Sequence, residues 1–293
     1  MGARTARSPL YAAGVMAILA LAVAGCAAAS SGAASSGAAG TSSSTPISPL
    51  DAVRLASKST SGANSFTGTI SLQARAKSGS AASQNVSMTA TMAEQLHPSL
   101  LTEVQIGTLS AAGSALPGGL VEIVTPSTLY MKWSFLTQEM HMTKPWLAIP
   151  FSSLSKGSGI NFSQLASEAT GSSPLSESQM LAGASGVRKV GTSTIDGVPV
   201  TEYTGTLSLD KGIQYLSGSA KSQVQKDIAA AGLSTETFTV WIDGQHTMRK
   251  AVIIEDGTAL TETITVTIDS INQPVNITVP AANQVSQLPS GAL

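Results

Sequence analysis

Phe66, Gly68, Ile70 and Leu72 alternate with Thr67, Thr69, Ser71 and Gln73, and the pattern returns where Val86, Met88, Ala90 and Met92 alternate with Ser87, Thr89 and Thr91. One-in-two spacing places the apolar set on one face of a strand and the hydroxyl set on the other. Val104 and Ile106 continue it, then a Gly/Pro loop from Ala111 to Gly119, an apolar run from Leu120 to Val124 and a turn at Pro126-Ser127. Leu129, Met131 and Trp133 alternate with Tyr130 and Lys132, and Met140 and Met142 flank His141. The same period resumes later in the chain. Val190 and Val200 bracket Asp196-Gly197, and Tyr203 and Leu207 continue that strand. Phe238, Val240 and Ile242 lead into Asp243-Gly244, with a return strand from Arg249 to Ile254. Such Asp-Gly pairs between apolar runs mark tight hairpins. Leu260, Glu262, Ile264, Val266 and Ile268 alternate with Thr261, Thr263, Thr265, Thr267 and Asp269, and Val275, Ile277 and Val279 predict a last strand before Pro280.

Helical signals are few. Ser48-Pro49-Leu50-Asp51 reads as N-cap, proline at the first helical position and acid in the first turn, with the helix ending by Gly62. A second helix is predicted over Ser219 to Ala231, where Val224 and Ile228 stand four apart and Gly232 follows. Phe162 to Ala169 and Ser176 to Ala182 read as short helices, and a polar loop surrounds Gly79. Strands outnumber helices. The fold expected is α+β and β-dominated, one long curved antiparallel sheet, a half-barrel, wrapped around a few helices.

Composition narrows the function classes. Charged residues make up 11% of the 293, against about 25% in average soluble proteins. Abundant Ser, Thr, Gly and Ala fit a high-GC bacterial source. Arg4 and Arg7 precede an uncharged apolar run from Leu10 to Ala24, shorter than the ~20 residues that span a bilayer. Val23-Ala24-Gly25-Cys26 then resembles the bacterial lipobox, and the chain's single cysteine falls at the position that carries the lipid. That resemblance implies cleavage before Cys26 and diacylglyceryl transfer to its thiol. Two or three acyl chains, at ~0.8 kcal/mol per buried methylene, hold such a protein on the outer face of the cell membrane. Loss of Arg4 and Arg7 leaves 14 basic residues against 17 acidic, a net charge of −3. No basic face emerges, which argues against nucleic acid. Residues 27–47 form a Ser/Gly/Ala stretch without aromatic or charge, a tether of roughly 25 Å r.m.s. reach. The expected organisation is a signal peptide over 1–25, lipidated cysteine and tether over 26–47, one folded domain over 48–285, and a tail over 286–293.

Several stretches resemble a family. Leu129-Tyr130-Met131-Lys132-Trp133, Lys144-Pro145-Trp146-Leu147, Val190-Gly191 before Ile195-Asp196-Gly197-Val198, Tyr203-Thr204-Gly205-Thr206, and Val240-Trp241-Ile242-Asp243 follow one another as in actinobacterial lipoproteins of the LppX/LprG type. The likeness runs from about Ala52 to Ala282. It implies a LolA/LolB-like half-barrel that holds acyl chains of lipids or glycolipids between sheet and helices, for transport or sensing.

The candidate site follows from the inward strand positions. Met88, Met92, Met131, Met140 and Met142, with Ile70, Leu72, Val104, Ile106 and Ile123, would line an apolar cavity. Methionine is flexible and polarizable, and suits a surface that adapts to varied apolar ligands. The same residues also suit an ordinary core, and the chain is then a structural or regulatory envelope protein that binds a protein partner with a filled interior. Trp133, Trp146 and Trp241 cap a cavity mouth, rest on a membrane interface or pack in the core. His97, His141 and His246 stand at no metal-ligand spacing. Ser153-x-x-Lys156 and Ser208-x-x-Lys211 lack the Ser-Asp-Asn and Lys-Thr-Gly partners of serine acyl-enzymes, and no Gly-x-Ser-x-Gly occurs. Neither an enzyme nor a cofactor is expected.

Overall fold

The computed structural model describes residues 47–77, 85–112, 114–151, 178–216, 221–222, 224–225, 228–229, 233–257 and 260–287. The first element is helix α1, Pro49–Ser61. Ser48 caps it: Asp51 N donates to Ser48 Oγ at 3.2 Å, and Ser48 Oγ donates to the Asp51 carboxylate at 2.6 Å. The helix buries Ala52, Val53, Ala56, Ser57 and Thr60. Thr60 Oγ1 accepts from Met248 N at 3.3 Å, which ties the helix to the sheet behind it.

The strands form one sheet among the described residues. They are β1 (Ser65–Ala76), β2 (Val86–Gln95), β3 (Leu101–Ala111), β4 (Ser114–Leu116), β5 (Leu120–Val124), β6 (Thr128–Lys132), β7 (Trp146–Pro150), β8 (Ala184–Ile195), β9 (Val198–Ser208), β10 (Thr235–Asp243), β11 (Met248–Asp256), β12 (Leu260–Ile271) and β13 (Val285–Gln287). Their order is β13-β7-β6-β5-β3-β2-β1-β12-β11-β10-β9-β8, with β4 beside β3. Two antiparallel meanders therefore meet where β1 pairs with β12, Ile70 opposite Val266 and Leu72 opposite Ile264. The sheet is curved and unclosed. Both expected Asp-Gly hairpins are present. Asp196 and Gly197 take the positive φ values, 48° and 81°, that a two-residue primed turn needs. At the other, Asp243 Oδ1 accepts from Gln245 N and Thr247 N at 2.9 Å, while Arg249 Nε donates to Asp243 Oδ2 at 2.8 Å.

One face carries the core. Val53 and Ala56 of α1 pack with Phe238, Val240, Ile242, Val266 and Ile268 of the second meander. A second cluster lies on the first meander, and Ile70 and Ile271 touch both. The other face is a hydroxyl surface. Thr67 pairs with Ser270 at 2.8 Å, Ser87 with Ser110 at 2.8 Å and Thr89 with Thr108 at 2.6 Å.

Three expectations need correction. The segment read as a loop from Ala111 to Gly119 contains β4, which pairs with β3 through Leu109 and Leu116. Met140 and Met142 are not on a strand. They follow a helix that the pattern did not predict, α2 (Ser134–Glu139), with His141 between them at φ 50°. Val275, Ile277 and Val279 alternate but join no strand, because no described strand lies alongside to pair with them. The closing strand is β13, parallel to β7, with Val285 opposite Trp146 and Gln287 opposite Ala148. In the middle of the chain, Ser178–Gly183 is a 3₁₀ helix where Ser176 to Ala182 was expected to be helical. Of the helix predicted over Ser219 to Ala231, Lys221, Ser222, Val224, Gln225, Ile228 and Ala229 are helical, and Val224 and Ile228 pack on the second cluster. The predicted helix from Phe162 to Ala169, the loop at Gly79, and the signal, lipobox and tether up to residue 46 lie outside the described residues.

Candidate functional site: the apolar inner face

Cross-strand register assembles the site. Met92 of β2 stands opposite Val104 of β3, and Ala90 opposite Ile106. Val104 faces Glu122 of β5, Glu122 faces Met131 of β6, and Met131 faces Leu147 of β7. Residues paired directly across strands share a face and lie about 4.5–5.5 Å apart at Cβ. Nine of the ten expected lining residues fall in this one cluster. Met88, Met92, Val104, Ile106 and Met131 are buried within it; Ile70, Leu72, Met140 and Met142 are half-buried against it. Ile123 is the exception. It pairs with Glu103 and Tyr130, so it points to the opposite face from Val104 and Met131, and although buried it belongs to neither cluster.

The three tryptophans divide between the faces. Trp133 belongs to the cluster, lies 4.9 Å from the Phe135 ring and donates from Nε1 to Pro117 O at 2.9 Å. Trp146 and Trp241 take the outer register positions, with the Lys132 and Lys250 ammonium groups 5.8 and 4.9 Å from their rings. His97, His141 and His246 are far apart in the fold's order, and among the described residues no group of three His, Cys, Asp or Glu is placed to hold a metal.

Sequence reasoning missed the acids. Glu94 and Glu122 are each 1% exposed and both sit on the inner face. Glu122 Oε2 meets no hydrogen-bond partner among the described residues, and burial alone pushes this carboxyl up to about 8. The signal was present: Glu122 is the one charge in Leu-Val-Glu-Ile-Val, and Glu94 continues the Met88, Ala90, Met92 series. On the second meander, Glu236, Glu255 and Glu262 form a cross-strand row on the same inner face. Burial, and then the neighbouring Glu262 charge, raises Glu255 to about 7. Burial also raises Glu262.

The described helices cover this face unevenly. α1, the Ser178–Gly183 turn and a short helix α3 (Leu209–Gly212) all contribute to the cluster on the second meander. Over the first meander stands only α2 among the described helices, contributing Leu136 and no fully buried side chain. Two clefts formed by described residues, of about 210 and 240 Å³, mix polar and apolar lining. One holds Thr67, Thr91, Met92, Glu103, Gln105 and Asp269, the other Asn64, Gln95, His97, Asn272 and Val275.

These features define a β-dominated α+β domain whose curved, unclosed sheet presents a single apolar face to a few helices. Solved structures similar to it include the lipoprotein LppX of Mycobacterium tuberculosis, 20% identical, with 78% of this chain and 98% of that one covered at a TM-score of 0.44. LprF of Mycobacterium bovis is 14% identical, over 80% of this chain and 97% of that one, at 0.45. A LolA superfamily protein of Nitrosomonas europaea is 8% identical, over 84% and 96%, at 0.28. No protein-family profile matches the chain. In sequence it is 26% identical over 103 residues to an uncharacterized 31.2 kDa protein from the rplA-rplJ intergenic region of Streptomyces griseus, spanning 34% of each, so the chain matches about a third of that curated relative.

Proposed function

We propose that the chain is an exported envelope lipoprotein, anchored through Cys26, that takes the acyl chains of a lipid or glycolipid against the inner face of its first meander, for transport or sensing. The observation that supports this most is the joining of methionines from β2, β6 and the segment after α2 into one apolar surface that α1 does not share. Methionine surfaces re-pack around ligands of varied shape. Acyl chains would be held by apolar burial, at about 25 cal/mol per Å². Attachment is assigned to the lipid on Cys26, on the lipobox-like Val23-Ala24-Gly25-Cys26, with residues 27–47 as the tether. We assign it no catalytic step.

A second reading has its own support. The cluster is already closely buried, with Val104 at 0% and Ile106 and Met88 at 2% exposure, as in a filled core. On that reading the outer face binds an envelope protein. The two separate on lipid uptake. The full chain carrying Cys26→Ser, offered a radiolabelled diacyl lipid, is expected to retain it, and Met131→Arg and Ile70→Arg are expected to abolish retention while far-UV circular dichroism is unchanged. No retention by the parent chain would favour the filled-core protein.

A further inference from the structure

The carboxyl of Glu122 is out of place in its surroundings. It stands in the middle of β5, between Val104 on one side and Met131 on the other, and Leu120 and Val124 precede and follow it on the same face. It is 1% exposed, its Oε2 has no hydrogen-bond partner among the described residues, and no ion pair found there includes it. A buried polar group without a partner destabilises a core, so its retention in an apolar face calls for a partner that arrives with the ligand. Resting on the lipid-carrier reading above, we propose that Glu122 is the polar recognition group of the inner face, donating a hydrogen bond from its protonated carboxyl to the ester carbonyl of an acyl lipid whose chains lie along Met92, Val104 and Met131.

The chemistry of the setting selects this ligand class. A carboxyl raised to about 8 by burial is mostly protonated at neutral pH, and so is a donor as well as an acceptor. A ligand ammonium would require the carboxylate, which the apolar neighbours oppose. A free fatty-acid anion would meet a second acid, Glu94, on the adjoining inner row. An ester carbonyl asks only for a donor. Position fits as well: two residues from either end of β5, the carboxyl lies roughly 7 Å from the strand ends. An acyl group linked there can send its chain across the methionines.

The test compares two lipids that differ only in those carbonyls. Dipalmitoylglycerol and its ether twin, dihexadecylglycerol, are delivered from cyclodextrin to the full chain carrying Cys26→Ser, and the bound fraction of each is measured by native mass spectrometry. The parent chain is expected to favour the ester about tenfold, the worth of one buried hydrogen bond. Glu122→Leu is expected to bring the ratio to about one, and Glu122→Gln, which keeps an N–H donor, to preserve a preference. Glu122→Met repeats the apolar test if the leucine variant does not fold. Equal binding of ester and ether by the parent chain, or an unchanged ratio in the leucine or methionine variant, overturns the assignment and leaves Glu122 a structural group. Binding of neither lipid by the parent chain removes the carrier reading, and this inference with it.

Discussion

A carboxylic acid held between Val104 and Met131 changes how the domain responds to pH. Glu122 titrates near 8 in the fold against 4.5 when exposed. Between those values the folded chain binds a proton that the unfolded chain has released. Stability is therefore fullest below about 4.5, falls as pH rises, and levels off above about 8, with a slope of at most about 1.4 kcal/mol per pH unit from this group. Glu255, raised to about 7, adds a slope of the same sign. Chemical denaturation of Glu122→Gln and Glu122→Leu from pH 5 to pH 8 is expected to show a flatter profile than the parent and higher stability at pH 8. A parallel profile would mean that the carboxyl is solvated. At this scale the sequence was half legible. The alternation of Met88 and Met92 with threonines fixed their face, because a paired strand allows no other assignment. No such rule reaches Ile123: Leu120 and Val124 lie on one side of β5 with Glu122, Val121 and Ile123 on the other, so apolar residues occupy both sides and the run shows no period from which to choose a face.

Elements with local chemistry follow their sequence. Ser48-Pro49 starts α1, and Asp196-Gly197 and Asp243-Gly244 close their hairpins, because cap and turn are satisfied by atoms a few residues away. Ser48→Ala is expected to destabilise the domain by about 1 kcal/mol, read as a lower midpoint in urea. β1 holds a less visible constraint. At the irregular step between Thr67 and Gly68, a Cβ on Gly68 would run into the Thr267 carbonyl oxygen of β12. Gly68→Ala must push apart the seam between the two meanders, and a loss of about 1–3 kcal/mol is expected in the same urea titration. No loss would mean that the seam yields without strain. Elements made by distant partners were not legible. β13 has three residues and exists only because β7 lies alongside, and α2 has six, too few for a helical period to show. Met140 and Met142, spaced two apart, imitate a strand after it.

At the scale of the molecule, two meanders share one sheet but not one cover. The second is closed by α1 through Val53 and Ala56, while the first, with Met88, Met92 and Met131, receives only Leu136 of α2 from the described helices. Strand period alone predicts the common apolar face. It cannot tell a packed layer from a surface that opens for a ligand, because both need the same residues. The proposed function turns on that difference. It is tested most directly by native mass spectrometry of the full chain carrying Cys26→Ser, purified from a high-GC bacterial host, since any lipid then present is bound by the domain and not attached to it. A lipid carrier is expected to show an added mass of a diacyl lipid or glycolipid that departs on denaturation and is missing from Met131→Arg. A bare protein mass that stays bare when diacyl lipids are supplied would contradict it.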